Sequence, residues 1–169
     1  QQYLIEFPGG RLQALDIAWD SRPPEAGGQR WLHLHPEDAV PAGDVLHWTG
    51  PNLNWNYMCA DCHSTNVRKG YDAGSETYHT TWSEIDVACE ACHGPGAAHV
   101  RWAEQKARGE PTDAPDLGLT VRLDERAGIA WTIDPATGKP SRSAARGSDR
   151  EIQVCARCHS RRGQLTDAT

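Results

Sequence analysis

The chain has 169 residues, which is enough for one domain of ordinary size. Its formal charge of −6 at pH 7 argues against a nucleic-acid-binding surface, and its sequence contains no run of 18 apolar residues that would span a membrane. With one Phe and one Met against 16 Gly and 11 Pro, a core of side chains alone would be thin. We therefore expect a large apolar cofactor to complete it.

The first fifty residues are predicted to form β-structure. Rough alternation of apolar and polar residues predicts a hairpin over residues 3–20, with its turn at 8–10. A polar loop rich in Pro and Gly follows over residues 20–29. Residues 30–35 alternate well enough to form a short strand, which Pro36 ends.

Short helices are predicted in the middle of the chain. The first covers residues 52–64. The second is capped by Thr80 or Ser83 and runs onward through Ile85. A Gly-Pro-Gly sequence breaks that helix, and a further amphipathic helix covers residues 97–108.

The C-terminal part is predicted to be less regular. Residues 109–118 are a connector rich in Pro and Asp. Residues 121–123 and 129–133 are expected to pair as a second hairpin, and residues 134–148 to form a long surface loop. Asp149 is then expected to cap the last helix.

All six cysteines lie in three copies of one pentad, Cys-x-x-Cys-His. Because residues i, i+3 and i+4 of a helix share one face, two thiols can bond the vinyl groups of a porphyrin while the imidazole reaches its iron. This pentad is the attachment pattern of c-type haem. We therefore expect three covalently bound c-type haems, each with a cysteine pair and a proximal His. The residues are Cys59, Cys62 and His63; Cys89, Cys92 and His93; and Cys155, Cys158 and His159.

Five of the eight histidines lie outside the pentads, and this surplus favours a second His ligand on each iron. His99 is the first candidate, because the turn before it can aim it at a neighbouring haem. His47 is the second candidate. His33 is preferred narrowly to His35, which lies on the same side of the predicted strand, whereas His79 is expected at the surface. Each of these residues also has a plain interpretation as a solvated or packed His.

Haem propionates are carboxylates that a cationic side chain can pair with. Several basic residues cluster around the pentads and are candidates for this role, against the default of a solvated charge. They are Arg68, Lys69, Arg101, Arg157, Arg161 and Arg162.

These observations predict a mostly irregular and α-helical fold with short β-hairpins, organised around closely packed haems. We expect one three-haem domain over the whole chain, residues 1–169. Its parts are a β-rich part that supplies distal ligands (1–50), a helical two-haem part (51–108), a connector with a hairpin (109–148) and the third haem segment (149–169).

Two stretches, residues 47–66 and 82–102, resemble a known family. The first contains His-Trp-Thr-Gly and Asn-Trp-Asn-Tyr-Met before its pentad, and the second contains Cys-Glu-Ala-Cys-His-Gly-Pro-Gly-Ala-Ala-His. The chain is similar to secreted bacterial multihaem cytochromes c that are related to the tetrahaem cytochrome of nitrifiers and are often fused to tetratricopeptide repeats. The resemblance implies that His99 ligates another haem, and that His33 and His47 occupy positions where the family has His. Family members carry further haem motifs, so this chain resembles a three-haem portion.

The leading hypothesis is electron transfer by a periplasmic or extracellular cytochrome with three bis-His haems. Covalent haem attachment takes place outside the cytoplasmic membrane, so a signal segment or a longer precursor is expected. Expected partners are redox proteins or terminal acceptors. Assembly into a homo-oligomer or filament through end-to-end haem contacts, or with other haem-bearing segments, is an additional hypothesis. No catalytic residue is expected.

Two alternatives come from other classes of protein. The first is a multihaem oxidoreductase with one open catalytic haem that acts on a nitrogen or sulfur compound. The second is a structural zinc module built from Cys59, Cys62, Cys89 and Cys92, whose spacing is compatible with a four-thiolate site. That second alternative leaves the third pair, and the His after every pair, without a purpose.

Overall fold

The computed structural model describes residues 1–160 of the chain. Two compact units divide it, one formed by Gln1–Asp86 and the other beginning at Val87. The division falls inside the two-haem part predicted over residues 51–108. Part of the predicted third haem segment, and with it Arg161 and Arg162, lies outside the described residues.

Short strands and helices alternate with irregular segments along both units. In the first unit they are β1 (Gln2–Phe7), β2 (Arg11–Asp20), β3 (Arg30–His33), α1 (Trp55–Met58), α2 (Ala60–His63), β4 (Tyr71–Asp72) and β5 (Thr77–Tyr78). In the second unit they are α3 (Cys89–His93), α4 (Ala97–Ala107), β6 (Trp131–Ile133), β7 (Pro140–Arg142) and α5 (Arg150–His159). None of the helices within the described residues has the length and apolar character needed to cross a membrane.

The first unit is built on an antiparallel sheet in the order β1-β2-β3. The hairpin predicted over residues 3–20 is confirmed, with a 3₁₀ turn at Pro8–Gly10 between its strands. Gly10 is required there, since its φ is +71° and a Cβ would lie 2.2 Å from the Tyr78 carbonyl oxygen. The strand predicted over residues 30–35 is present as β3 but ends at His33.

Buried amides fasten the first helix to this sheet. Asn56 in α1 accepts a hydrogen bond from the Leu12 N–H (2.7 Å) and donates to the Gly10 carbonyl (3.2 Å) and the Thr80 hydroxyl (2.8 Å). Its side chain is almost fully enclosed. Because buried polar groups without partners are costly, this network fixes α1 on β2.

The helix predicted over residues 52–64 is divided into shorter pieces. A 3₁₀ turn at Pro51–Leu53 precedes Asn54, whose side chain accepts a hydrogen bond from the Tyr57 N–H (3.0 Å) and caps α1. Cys59, with φ −117° and ψ −40°, then separates α1 from α2. The predicted segment is thus helical in character but interrupted at Asn54 and at Cys59.

The second predicted helix is wrong over its first half, because α3 begins only at Cys89. The Thr80 hydroxyl donates to the Lys69 carbonyl (2.7 Å) instead of capping a helix. Residues 81–84 lie extended against residues 65–68, where the Arg68 N–H donates to the Thr81 carbonyl (2.8 Å). Long-range backbone pairing therefore overrides the local capping pattern.

The second predicted hairpin is also wrong in its partner strand. The β6 strand pairs with β7, in the register Trp131 to Arg142, and not with residues 121–123. The Asp134 carboxylate accepts from two backbone N–H groups of the following turn, those of residues 136 and 137, and holds that turn closed. The loop predicted over residues 134–148 therefore contains a strand.

The last two helices agree with prediction. The helix predicted over residues 97–108 is α4, and α5 starts directly after Asp149. The side chain of Asp149 makes no capping hydrogen bond, so the predicted cap is wrong in its chemistry. The carboxylate instead faces the guanidinium of Arg146, with 3.3 Å between Nη1 and Oδ1.

Very few apolar side chains are buried in the described residues. The four are Ala14, Trp55, Ala60 and Val67, and all lie in the first unit. Over residues 87–160, Glu151 is the one buried residue. Large apolar side chains such as Ile85, Val100, Trp131 and Ile152 are exposed. The second unit thus has no apolar core made of its own side chains in the part that is described.

Candidate haem-binding site

The first pentad spans the junction of α1 and α2. The His63 N–H donates to the Cys59 carbonyl (3.0 Å), so one helical turn brings both thiols and the imidazole to the same side. Burial raises the pKa of the Cys59 thiol, whereas His63 is exposed. The exposed imidazole is open to an iron held beside this turn.

The second pentad is the whole of α3, from Cys89 to His93. Gly94 ends the helix with a φ of +74°, and its N–H donates to the Glu90 carbonyl (3.0 Å). A Cβ at Gly94 would lie 3.0 Å from the Thr120 side chain, so glycine lets a neighbouring loop approach closely. The sequence predicts a connector over residues 109–118 and a strand over residues 121–123, and this loop, residues 117–121, lies across both.

The loop of residues 117–121 orients two histidines of the second unit. His93 Nδ1 lies 2.7 Å from the Val121 carbonyl oxygen, and His99 Nδ1 lies 2.7 Å from the Leu117 carbonyl oxygen. A carbonyl oxygen can only accept, so each Nδ1 must carry the proton and donate. Each Nε2 then presents its lone pair, which is the arrangement of a histidine that ligates a metal.

His99 is held from a second direction as well. It lies in the first turn of α4 and stacks on Trp102, with 5.4 Å between ring centroids and 17° between ring planes. Gly118 allows the loop to reach it, since a Cβ there would lie 2.7 Å from the backbone carbonyl of Ala98. The imidazole of His99 is therefore positioned by a helix, an indole and a loop together.

The third pentad occupies the second half of α5. Cys155, Cys158 and His159 are all exposed, and α5 contacts α3. The second and third pentads are thus brought together within one unit. Glu151, one turn before Cys155, is buried and accepts from the Glu125 N–H (3.0 Å), which fastens α5 to the preceding segment.

His47 lies in the first unit, in a turn that a buried side chain fixes. Gln13 on β2 is fully buried and donates to the Trp48 carbonyl (2.7 Å) and the Gly50 carbonyl (3.0 Å). The Nδ1 of His47 lies 2.8 Å from the Thr49 hydroxyl and accepts the Thr49 N–H (3.4 Å). A backbone N–H can only donate, so Nδ1 is an acceptor and the proton of the neutral ring lies on Nε2. His47 is therefore held on a fixed turn, but ligation of iron through Nε2 would first require the other tautomer.

The remaining three histidines are placed differently. His33 accepts the His35 N–H at Nδ1 (3.1 Å), and its Nε2 lies 3.2 Å from an Asp16 carboxylate oxygen. Both ring nitrogens of His33 are engaged, so ligation of iron through Nε2 would first require the Asp16 contact to break. His35 and His79 are exposed. His33 therefore stays a predicted ligand with a competing partner.

The donor set fits covalent haem. None of the six cysteines forms a disulfide bond, each pair is followed by a histidine one helical turn on, and exposed apolar side chains lie on the same units. No group of three or more His, Cys, Asp or Glu side chains that could hold a metal ion occurs among residues 1–160. Haem attachment does not require such a group, because the porphyrin supplies four of the iron's ligands.

A family model supports this interpretation for part of the chain. Residues 36–94 match the family described as cytochrome c554 and c-prime. The match contains His47 and the first two pentads, and it supports a multihaem c-type cytochrome with covalently bound haem. No curated protein and no solved structure matches the chain significantly. The relation to the nitrifier cytochrome and the fusion to tetratricopeptide repeats stay predictions.

Sequence reasoning named candidate ligands but missed the groups that orient them. The carbonyls of Leu117 and Val121, and the amide of Gln13, have no motif of their own. One partial indication was present, since Leu117 is followed by Gly118 in a segment that had to turn.

Proposed function

We propose that the chain is a three-haem c-type cytochrome that transfers electrons, with each iron closed by two histidines. The observation that carries the proposal is the three pentads, each on a helical turn with its two cysteines outside any disulfide bond. When bound, a haem c exchanges one electron between ferric and ferrous iron. Electron transfer requires that the protein attach the haems and hold their axial ligands in place. The three pentads and the oriented histidines provide these features.

The histidines have distinct roles in this proposal. His63, His93 and His159 are the proximal ligands, and His99, His47 and His33 the distal ones. The oriented imidazoles of His93 and His99 support this assignment, because a hydrogen-bonded Nδ1 fixes the ring and raises the basicity of Nε2. With nitrogen on both axial sides, the reduction potentials are expected to be lower than those of His/Met haems.

The proposal places the protein in the periplasm or outside the cell, where haem is attached covalently to cysteine. Its partners are redox proteins or terminal acceptors. The α3 and α5 contact supports short electron steps between the second and third haems, since the attachment helices lie against each other. A homo-oligomer or filament, or a longer chain with further haem segments, extends the same pathway.

The test is an intact mass together with optical spectra of the oxidised and dithionite-reduced protein. We expect a mass higher than that of the polypeptide by three haems, sharp low-spin bands and no change on adding carbon monoxide. A high-spin band, or ready binding of carbon monoxide or nitrite, would favour the oxidoreductase with an open iron. A mass without haem, with zinc present, would exclude both cytochrome functions.

A further inference from the structure

A small cavity beside the third pentad is lined by three arginines. Arg126, Arg142 and Arg146 share its wall with Cys155, and Trp131 and Ile152 contribute apolar surface. Its volume is about 190 Å³. That is below the roughly 300–1,000 Å³ of pockets that enclose a drug-sized ligand, so a porphyrin ring does not fit inside it. A volume of this size is sufficient for a single polar substituent of a larger group.

Two of the three arginines already have carboxylate partners. Arg126 Nε lies 2.5 Å from a carboxylate oxygen of the buried Glu151. Arg146 Nη1 lies 3.3 Å from the Asp149 carboxylate. The remaining acid on the cavity wall, Glu125, accepts from the Ser148 hydroxyl, which lowers the pKa of Glu125. Arg126 and Arg146 are thus ion-paired, whereas the Glu125 carboxylate accepts from a hydroxyl and from the Glu151 N–H (3.3 Å).

Arg142 is the arginine of this cavity that makes no ion pair within residues 1–160. Its Nη2 donates to the Glu125 carbonyl (3.0 Å), and its guanidinium lies over Trp131, 5.6 Å from the ring centroid. Its Nε and Nη1 are buried and have no hydrogen-bond partner anywhere in residues 1–160. Buried donors of a charged group are almost always paired, so these two N–H groups indicate a missing acceptor.

We propose that Arg142 binds a propionate of the haem attached at Cys155 and Cys158. An acceptor for these N–H groups has to enter a small cavity whose wall also contains Cys155. A propionate of a haem attached at Cys155 meets both conditions, and an arginine–carboxylate pair is among the stronger hydrogen-bonded contacts. This inference rests on the proposed function, since it requires a haem at the third pentad.

Arg142 differs from the basic residues that sequence proximity suggested. Lys69 lies over the Tyr57 ring, 4.6 Å from its centroid, and Arg157 already has an interaction partner. Arg142 is thirteen residues before Cys155 and reaches the cavity because β7 pairs with β6. The hairpin that prediction misplaced is therefore the element that carries this side chain.

The test compares Arg142→Gln with Arg108→Gln by potentiometric titration of the three haems. Both variants remove one positive charge from the second unit, but Arg108 pairs with Glu110 at the surface. A guanidinium beside a propionate offsets a negative charge that would otherwise stabilise ferric iron. We expect Arg142→Gln to lower the potential of one haem, and Arg108→Gln to leave all three unchanged.

Repeating the comparison in a protein without the third haem tests whether Arg142 acts on that haem. In a Cys155→Ala, Cys158→Ala protein, which lacks the third haem, Arg142→Gln should no longer change either remaining potential. Persistence of the effect there, or equal effects of the Arg142 and Arg108 variants, would overturn the proposal. If Arg142→Gln does not fold, the structure of the haem-loaded wild-type protein decides between a propionate oxygen and a water or solvent anion at Nε and Nη1.

The failure of this inference is distinguishable from that of the proposed function. If the mass shows three haems but Arg142→Gln leaves all three reduction potentials unchanged, Arg142 does not bind a propionate and the electron-transfer function still stands. A mass that lacks the haem of Cys155 and Cys158 removes both.

Discussion

The hydrogen bond from His99 Nδ1 to the Leu117 carbonyl decides which nitrogen of this imidazole can act as a ligand. Nε2 keeps its lone pair, and stacking on Trp102 limits rotation of the ring. The His99→Ala variant should therefore retain three attached haems but open one iron. Its oxidised spectrum should gain a high-spin band, and its reduced form should bind carbon monoxide at one haem of three.

His79→Ala is the matched control for this prediction, because His79 is an exposed His in the same chain. It should leave the spectrum and carbon monoxide binding unchanged. A His99→Ala protein that stays fully low-spin would show that His99 is not a distal ligand.

Asn56 fastens α1, the helix directly before the first pentad, to the sheet. The Asn56→Ala change leaves the Leu12 N–H and the Thr80 hydroxyl without their buried partner. We expect a loss of about 2–3 kcal/mol in the free energy of unfolding, since each unsatisfied buried group costs about 1–3 kcal/mol. Denaturant unfolding of the haem-loaded protein measures this loss.

The half-exposed Asn52, in the 3₁₀ turn before α1, provides the comparison. Asn52→Ala should change the free energy of unfolding by less than about 0.5 kcal/mol, as surface substitutions usually do. Equal effects of the two variants would mean that the Asn56 network does not stabilise the unit.

At the scale of elements, the loop of residues 117–121 is the part whose removal would affect two histidines at once. Gly118 has a φ of +71°, and a Cβ there would lie 2.7 Å from the backbone carbonyl of Ala98 and 2.8 Å from the backbone nitrogen of His99. Gly118→Ala must therefore push the loop away from α4. We expect both a loss of stability and a change in the spin state or potential of one haem.

Gly109→Ala separates the clash from the cost of the backbone conformation. Gly109 has the same φ of +71°, but among the described residues nothing lies within 4 Å of its Cβ position. Gly118→Ala should exceed Gly109→Ala by about 1–3 kcal/mol in denaturant unfolding. If the two variants unfold alike, the close approach of the loop is not what holds His99.

The elements also explain which predictions succeeded. The pentads could be predicted because their geometry is local, within a single helical turn from Cys89 to His93. The start of α3 could not, because the Thr80 hydroxyl is bound by Asn56, which lies 24 residues earlier in the chain. The carbonyls of Leu117 and Val121, which orient His99 and His93, could not be predicted either, since every residue has a carbonyl and its use depends on the folded loop.

For the whole molecule, the distribution of burial separates the two units. The first has a small apolar cluster around Trp55, Ala60 and Val67, packed against Leu4 and Leu12 of the sheet. The second has two pentads and, over residues 87–160, Glu151 as its buried residue. Its apolar side chains must find their burial against something else, and attached porphyrins supply that surface. Haem is therefore expected to be part of the fold of the second unit.

This dependence predicts what a haem-free chain will do. With all six cysteines changed to alanine, the second unit loses the surface that its exposed Val100, Trp131 and Ile152 would cover, and chain entropy then opposes folding with little to offset it. Amide hydrogen exchange should be fast throughout residues 87–160 and slower in β2, whose backbone is bonded on both edges. The haem-loaded protein should protect α3 and α5. Strong protection of α5 without haem would mean that the Glu151 contacts are enough to fold this unit. The haems would then bind to a unit that is already folded and would not be needed for its folding.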